Sequence, residues 1–342
     1  MLNKVALITG SNGFIGFHLS KLLLKNDWFV VGYDGMTDYY DVNLKKNREK
    51  KLLNLNNFKS YHGMLEDKTK LFNLIKKYKP SVIIHLAAQA GVRYSILNPD
   101  SYFNSNLLGT FHILEATKIF KIKHLLLAST SSVYGSNNIL PFNENQKADT
   151  QMSFYAASKK AAEVLSHSYS HIHQIPMTIF RFFTVYGPWG RPDMALFKFT
   201  KAILEDKPIE IYNRGNMERD FTYVDDLTKS IMLLINKIPD KGLNKSSQIL
   251  SDSISNVAPY RIVNIGNANP VKLTEFIEQI EYCLGKKAKK KHVGMQLGDV
   301  KKTSSDITLL KSLIDFTPNT SIKTGISKFV DWFRLYYGYP KK

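Results

Sequence analysis

Tyr155 and Lys159 lie four residues apart in "YAASK". A helix there puts a phenol and an ammonium on one face. A phenol with a pKa near 10 is a poor base at neutral pH. A nearby cation stabilises the phenolate and lowers that pKa, so such a pair can take a proton from a hydroxyl. Upstream, the apolar run Leu125–Ala128 stops at four consecutive hydroxyl residues, Ser129, Thr130, Ser131 and Ser132, followed by Val133, Tyr134 and Gly135. That pattern reads as a buried strand whose tip is lined with short donors and acceptors. A third group lies near the start, where "TGSNGFIG" carries Gly10, Gly13 and Gly16, with Asn12, Phe14 and Ile15 among them. Gly10 permits a tight turn, Gly13 lets backbone N–H groups approach a pyrophosphate, and Gly16 allows close helix–sheet packing. Asp34 ends the next apolar run. A carboxylate there accepts hydrogen bonds from an adenosine ribose and repels a 2′-phosphate, and no arginine follows closely. The expected cofactor is therefore NAD rather than NADP.

These groups need elements to hold them. The runs "VALIT", "WFVVGY", "SVIIHLAA", "HLLLAS" and "PMTIFRFF" are short and do not alternate, as suits strands buried on both faces. Amphipathic stretches separate them, over Ile15–Lys25, Leu44–Leu53, Thr69–Tyr78 and Tyr102–Phe120. Strand alternating with helix predicts an α/β, Rossmann-type, doubly wound parallel sheet. The alternation weakens near residue 182, and "YGPWGRPDMA" follows at 186–195. We read residues 1–182 as an NAD-binding Rossmann domain and 183–342 as a smaller C-terminal α/β substrate-binding domain. Segments near 219–236 and 260–266 are candidates to return to the first domain. The polar stretch 240–259 reads as an exposed loop, and "YRIVNIG" after it as a strand.

Bulk properties narrow the function. The 342-residue chain is 44% hydrophobic, with a formal charge of +18. Apart from "KKAKKK" at 286–291 the basic residues are spread thinly, with no stripe interleaved with aromatics. Nucleic acid is not expected as a partner, and a basic cleft for a small anionic substrate is favoured. A single cysteine, Cys283, allows no intrachain disulfide and reads as a small core residue. No leader is visible and no apolar run approaches the roughly 18 residues that span a membrane, so a soluble cytoplasmic protein is expected. His167, His171 and His173 have no nearby carboxylate as a third ligand, and no metal is expected.

Gly10–Gly16, the Thr130 strand tip, Tyr155 and Lys159 together resemble the extended short-chain dehydrogenase/reductase superfamily, in its NAD-dependent epimerase/dehydratase family, over essentially the whole chain. The resemblance implies that Thr130, Tyr155 and Lys159 form the catalytic group. The stretches "AAQAGVRYSI" (87–96), "RFFTVYGPWGRPDMALFKFTKAI" (181–203), "RDFTYVDD" (219–226) and "MQLGDV" (295–300) are similar to nucleoside-diphosphate-sugar epimerases, most of all to bacterial UDP-glucuronate 4-epimerases of capsule type. This implies Arg219 on the substrate diphosphate, Arg191 and Asp299 at the nucleotide site, and Ala87 and Leu65 beside the cofactor. Two departures stand out. Met64 occupies a place where many relatives set an aspartate against the adenine amine, and Leu297 replaces a proline of the usual motif. Thr184 replaces an asparagine of UDP-galactose 4-epimerases, which points away from neutral hexoses.

The resemblance also implies redox-neutral chemistry. Tyr155 would take the proton of the C4 hydroxyl as hydride leaves C4 for NAD, Thr130 would orient the oxygen, and Lys159 would tune Tyr155 and bond the nicotinamide ribose. The 4-keto sugar would turn about its diphosphate linkage and receive hydride on the other face. A 4-keto uronate can lose CO₂, because its carboxylate is β to the ketone. Related dehydratases and decarboxylases carry an acid after the threonine for proton transfer, whereas Ser131–Ser132 leave none here. Ser131, Ser132, Thr184 and Arg93 are expected to hold the substrate carboxylate. The expected reaction interconverts UDP-glucuronate and UDP-galacturonate. The alternatives are a 4-epimerase of UDP-N-acetylglucosamine or its uronate, a nucleotide-sugar dehydratase or decarboxylase, and a non-enzymatic NAD-binding protein. The apolar stripe Ala157, Ala161, Val164 and Leu165 reads as core or as the seam of a homodimer.

Overall fold

The computed structural model describes residues 4–240, 252–296 and 298–340. Leu297, and residues 241–251 of the expected polar loop, lie outside them. Among the described residues there are twelve strands: β1 (Val5–Thr9), β2 (Phe29–Asp34), β3 (Phe58–His62), β4 (Val82–His85), β5 (His124–Thr130), β6 (Met177–Phe182), β7 (Thr184–Tyr186), β8 (Pro208–Ile211), β9 (Glu218–Tyr223), β10 (Tyr260–Ile265), β11 (Pro270–Lys272) and β12 (Lys289–His292). Seven of them make one parallel sheet in the order β10-β6-β5-β4-β1-β2-β3. The chain leaves β1 outward through β2 and β3, then crosses back to β4 and runs outward the other way. The strand order therefore reverses between β1 and β4, and the crevice at their carboxyl ends is where a doubly wound sheet binds ligands.

Burial follows from this topology. Every residue of β4, β5 and β6 is buried, because helices cover both faces. One face packs Phe17, Leu19 and Leu23 of helix Phe14–Lys25 with Leu227 and Ile231 of helix Val224–Leu234 and with Leu309 and Leu310 of helix Thr308–Ile314. The other packs Leu71 and Ile75 of helix Lys68–Tyr78 with Ile113 and Leu114 of helix Gly109–Ile119. Only Phe58 of β3 is buried, since β3 is the sheet edge, and its sequence accordingly shows no apolar run.

The C-terminal half crosses repeatedly between two layers. β10 completes the central sheet beside β6, whereas β9 sits between β7 and β11 in a three-stranded sheet. That sheet and helices Ala195–Leu204, Leu273–Leu284 and Ile322–Tyr337 enclose a separate core rich in phenylalanine, including Phe197, Phe221, Phe276, Phe329 and Phe333. β8 and β12 form a parallel pair. The basic run 286–291 supplies β12 and is ion-paired: Lys286 to Asp206, Lys287 and Lys290 to Glu281, and Lys291 to Glu210.

The helix expected over 102–120 is interrupted. A π-helical turn, Phe103–Leu108, precedes helix Gly109–Ile119. The wider turn carries Asn106, which accepts from the Gln89 N–H at 2.8 Å and donates to the Gln89 carbonyl and to Ser158 Oγ, each at 3.0 Å. It thereby ties the loop after β4 to the helix that bears Tyr155. His167 and His171 bond Ser255 Oγ and the Val257 carbonyl, docking a loop on the same helix. Among the described residues, no cluster of His, Cys, Asp or Glu could hold a metal ion, and no helix is long and apolar enough to cross a membrane.

Candidate active site

A cleft of about 1000 Å³ opens at the carboxyl ends of β1, β4 and β5 and runs into the C-terminal layer. It begins at the glycine loop. Gly10 has φ +73°, and a Cβ added there would lie 2.9 Å from the Ala87 nitrogen. A Cβ at Gly16 would lie 2.0 Å from the Gly10 carbonyl oxygen. Side chains at these points would fill the cradle. Helix Phe14–Lys25 starts at Gly13 with no capping side chain and no acid in its first turn, which leaves its N–H groups free for an anion. Asp34 ends β2, with Oδ2 accepting from the Asn12 N–H and Oδ1 from the Met36 N–H, each at 2.9 Å. Both oxygens keep acceptor capacity toward the cleft. Phe14, Ile15, Met64, Leu65 and Ala87 complete this wall. The arrangement fits a dinucleotide: a backbone cradle for phosphates, a carboxylate for a ribose, and apolar walls.

Asn12 is the exception among the residues singled out in the sequence. It is buried beneath the loop and does not line the cleft. Its N–H is spent on Asp34, and its carbonyl accepts from Arg48 Nη1 at 3.0 Å. It fixes the Asp34 carboxylate from beneath the loop.

Thr130, Tyr155 and Lys159 line the cleft together. Thr130 is the last residue of β5, and its hydroxyl accepts from the Ser132 N–H and donates to Ser132 Oγ, both at 3.2 Å. Helix Phe154–His173 starts at Ser153, whose Oγ accepts from the Ala156 N–H at 3.1 Å, and it presents Tyr155 and Lys159 to the same space. Burial pushes the Tyr155 phenol up, while the Thr130 hydroxyl and the Arg191 charge offset part of this. Burial also brings the Lys159 amine down to about 8, against the pull of Glu163. The Arg191 charge thus bears on the phenol, and burial weakens the cationic form of Lys159. Among the described residues Lys159 Nζ has no protein partner, and neither has the hydroxyl of Ser131 or Thr184.

The far wall is built from arginines already paired with carboxylates. Asp299 lies 3.7 Å from Arg219 Nη2 and 3.6 Å from Arg93 Nη2, and Arg93 stacks over Tyr212 with 4.4 Å to the ring centroid. Arg93 therefore belongs to the Arg219 cluster and not to the hydroxyl tip where the sequence placed it, because Asp299 and Tyr212 engage its guanidinium. Arg191 binds Asp193 in a fork, with Nε to Oδ1 at 3.0 Å, and Tyr39 donates to Asp193 at 3.2 Å. Sequence reasoning missed Tyr39, Asp193, Tyr212 and Asn106. Tyr39 meets Asp193 across 154 residues and Tyr212 meets Arg93 across 119, which no local spacing signals, whereas Asp193 stands only two residues from Arg191 and could have been read with it.

A family model described as GDP-mannose 4,6 dehydratase matches residues 7–329. The chain belongs to that family of NAD-dependent epimerases and dehydratases. It is 49% identical over 331 residues to a probable UDP-glucuronate 4-epimerase of Rhizobium meliloti (strain 1021), covering 97% of each chain. It is likewise 49% identical to the CapI protein of Staphylococcus aureus, over 97% of this chain and 98% of that one. The crystal structure of a UDP-glucuronic acid 4-epimerase from Bacillus cereus, in complex with UDP-glucuronic acid and NAD, superposes with a TM-score of 0.87 at 32% identity, over 97% of this chain and 100% of the other.

Proposed function

We propose that the protein is an NAD-dependent UDP-glucuronate 4-epimerase that interconverts UDP-glucuronate and UDP-galacturonate. The observation that carries the choice of substrate is the tip of β5. Ser131 and Thr184 line the cleft together with Thr130 and Tyr155, their hydroxyls have no hydrogen-bond partner among the described residues, and no carboxyl group follows Thr130. Hydroxyl groups are the right donors for a substrate carboxylate, and the missing acid removes the proton relay a dehydratase would use.

Gly10–Gly16, Asp34 and Lys159 would hold NAD, which when bound supplies reversible hydride acceptance at the sugar C4. Tyr155 takes the proton of the C4 hydroxyl and returns it from the same phenol when the other epimer forms. Thr130 holds that oxygen in line. Lys159 would hydrogen-bond the cofactor ribose, and its cationic form would favour the phenolate. Arg219 and its neighbour Arg93 grip the diphosphate while the sugar turns. Ser131, Ser132 and Thr184 pin the carboxylate out of alignment with the C4 carbonyl, which restrains loss of CO₂. Because the Lys159 amine titrates at about 8, turnover should decline as pH rises through that value.

Two further readings belong to this proposal. The sole cysteine, Cys283, whose thiol burial pushes up, suits a reducing cytoplasm. The adjoining helices Gly109–Ile119 and Phe154–His173 expose Phe111, Val164, Leu165 and Ile172, an apolar surface suited to a second copy of the chain in a homodimer. The substrate reading is tested by kcat/KM for UDP-glucuronate, UDP-glucose and UDP-N-acetylglucosamine side by side. We expect UDP-glucuronate to lead by about 100-fold, since each charge-assisted hydrogen bond lost is worth roughly 1.5–3 kcal/mol. Equal turnover of a neutral sugar rejects the reading.

A further inference from the structure

The stretch "RDFTYVDD" brings Arg219 to the cleft, but the next residue, Asp220, does not line it. Asp220 lies on β9 and is fully buried, at 0% exposure. Four donors reach its carboxylate. Oδ1 accepts from the Asn267 N–H at 2.8 Å. Oδ2 accepts from the Ala268 N–H at 3.1 Å, from the Ser305 N–H at 2.9 Å and from the Ser305 hydroxyl. The Asp220 N–H donates to Thr303 Oγ1 at 3.2 Å. A buried carboxylate is costly unless its oxygens are satisfied, and here three of the four donors are main-chain N–H groups, so the carboxylate fixes backbone. The fit is close: a Cβ added at Gly266 would lie 2.1 Å from Ser305 Oγ and 2.9 Å from Asp220 Oδ2.

Three pieces of chain meet at this carboxylate. β9 belongs to the three-stranded sheet, Asn267 and Ala268 follow β10 of the central sheet, and Ser305 belongs to the segment 298–306. That segment supplies Gly298, Asp299, Val300 and Thr303 to the cleft, yet it forms no strand. It meets β9 at a single bridge, where the Glu218 N–H donates to the Lys301 carbonyl at 2.9 Å and the Thr303 N–H to the Glu218 carbonyl at 3.2 Å. Beyond Thr303 the bond to Asp220 takes over. Further on, the Phe142 N–H donates to the Ser304 carbonyl at 2.8 Å and the Asp306 N–H to the Phe142 carbonyl at 2.9 Å. Arg219 rests on the same segment, with Nη1 donating to the Lys301 carbonyl at 3.1 Å and Nη2 3.7 Å from Asp299. Successive residues of a strand point to opposite faces. Asp220 thus holds the segment from the buried side, and Arg219 meets it at the cleft.

We propose that Asp220 is a positioning residue for the diphosphate grip: by knotting β9, the turn after β10 and the segment 298–306, its carboxylate sets Arg219 in place against Asp299 and the Lys301 carbonyl. The proposal rests on the epimerase reading for what Arg219 grips. The two fail differently. Wild-type, NAD-loaded protein that binds no UDP by calorimetry rejects the diphosphate reading of Arg219, whereas UDP binding that Asp220 does not govern rejects this proposal alone.

Asp220→Asn keeps the shape and replaces one oxygen by an NH₂ group, which meets at least one main-chain N–H whichever way the amide lies. In this variant the Kd for UDP and the KM for UDP-glucuronate should rise about tenfold, with kcat changed no more than about twofold and NAD content unchanged. Ser305→Ala removes one of the four donors, and both constants should rise about threefold. The cycle with Arg219→Ala separates positioning from general loosening. In Arg219→Ala protein either change should cost less than about twofold in UDP affinity, because the group it positions is gone. Should Asp220→Asn fail to accumulate, Ser305→Ala decides by the same cycle. Unchanged UDP affinity, losses that add fully to that of Arg219→Ala, or loss of NAD in step with loss of UDP overturns the proposal.

Discussion

The two walls of the cleft are built on opposite principles. The cofactor wall is backbone: glycines at the end of β1, free N–H groups at a helix start, and one carboxylate, Asp34, held by two main-chain N–H groups. The substrate wall is side chain: Arg93, Arg191 and Arg219, each on a loop or strand of the C-terminal half or after β4, and each paired with Asp193 or Asp299. A backbone cradle costs no side-chain ordering when ligand arrives, and it cannot adapt. Paired guanidinium groups keep their geometry before binding and can exchange a protein carboxylate for a diphosphate oxygen. A cofactor that is regenerated every cycle can stay in a rigid socket, whereas a sugar that must turn over between two faces needs a wall that tolerates both.

The sharpest way to break this contrast is at Gly16. Gly16→Ala places a methyl group 2.0 Å from the Gly10 carbonyl oxygen, so the loop must move. The variant should purify without NAD, or fail to accumulate, as read by nucleotide released on denaturation. Retained stoichiometric NAD would show that the cradle is not rigid. Next in size is Asp34→Ala, which removes the charged acceptor for the ribose. It should weaken NAD binding about 10–100-fold by calorimetry on cofactor-stripped protein, the value of about one charge-assisted hydrogen bond.

On the substrate wall the effects should be smaller. Thr184→Ala or Ser131→Ala should reduce the preference for UDP-glucuronate over UDP-glucose about tenfold and raise the fraction of pentose product, because each removes one donor from the carboxylate. Unchanged selectivity in both would show that these hydroxyls face something else. The smallest effect belongs to Asp299→Asn. The Asp299 pairs with Arg93 and Arg219 are partly exposed, and such pairs are worth about 0–1 kcal/mol. KM for UDP-glucuronate should shift no more than about fivefold, with kcat nearly unchanged. A shift of 100-fold would make the ion-pair cluster as rigid as the glycine loop.

The same contrast explains what could be read in advance. Fold class and cofactor wall were legible because their signals are local: strands buried on both faces give continuous apolar runs, and Gly10, Gly13 and Gly16 lie within one turn of chain. β3 was not, since an edge strand with one buried residue has no such run. The π-helical turn at Phe103–Leu108 was hidden in a pattern that reads as plain helix. The substrate wall was named only through resemblance, which pointed to Arg93, Arg191 and Arg219, and all three line the cleft. Arg191 bears on Tyr155 while Arg93 joins Arg219, because Asp193 and Asp299 decide where each guanidinium points.

The central claim is that hydride leaves C4 and returns to the same carbon within one protein molecule, with the carboxylate retained. The direct measurement is to incubate the purified protein with UDP-glucuronate deuterated at C4, with no cofactor added, and to follow the products by NMR. The account predicts UDP-galacturonate carrying deuterium at C4, with little UDP-pentose and no accumulated NADH. Loss of deuterium to solvent, release of CO₂ as the main outcome, or no conversion by protein that contains bound NAD would contradict it.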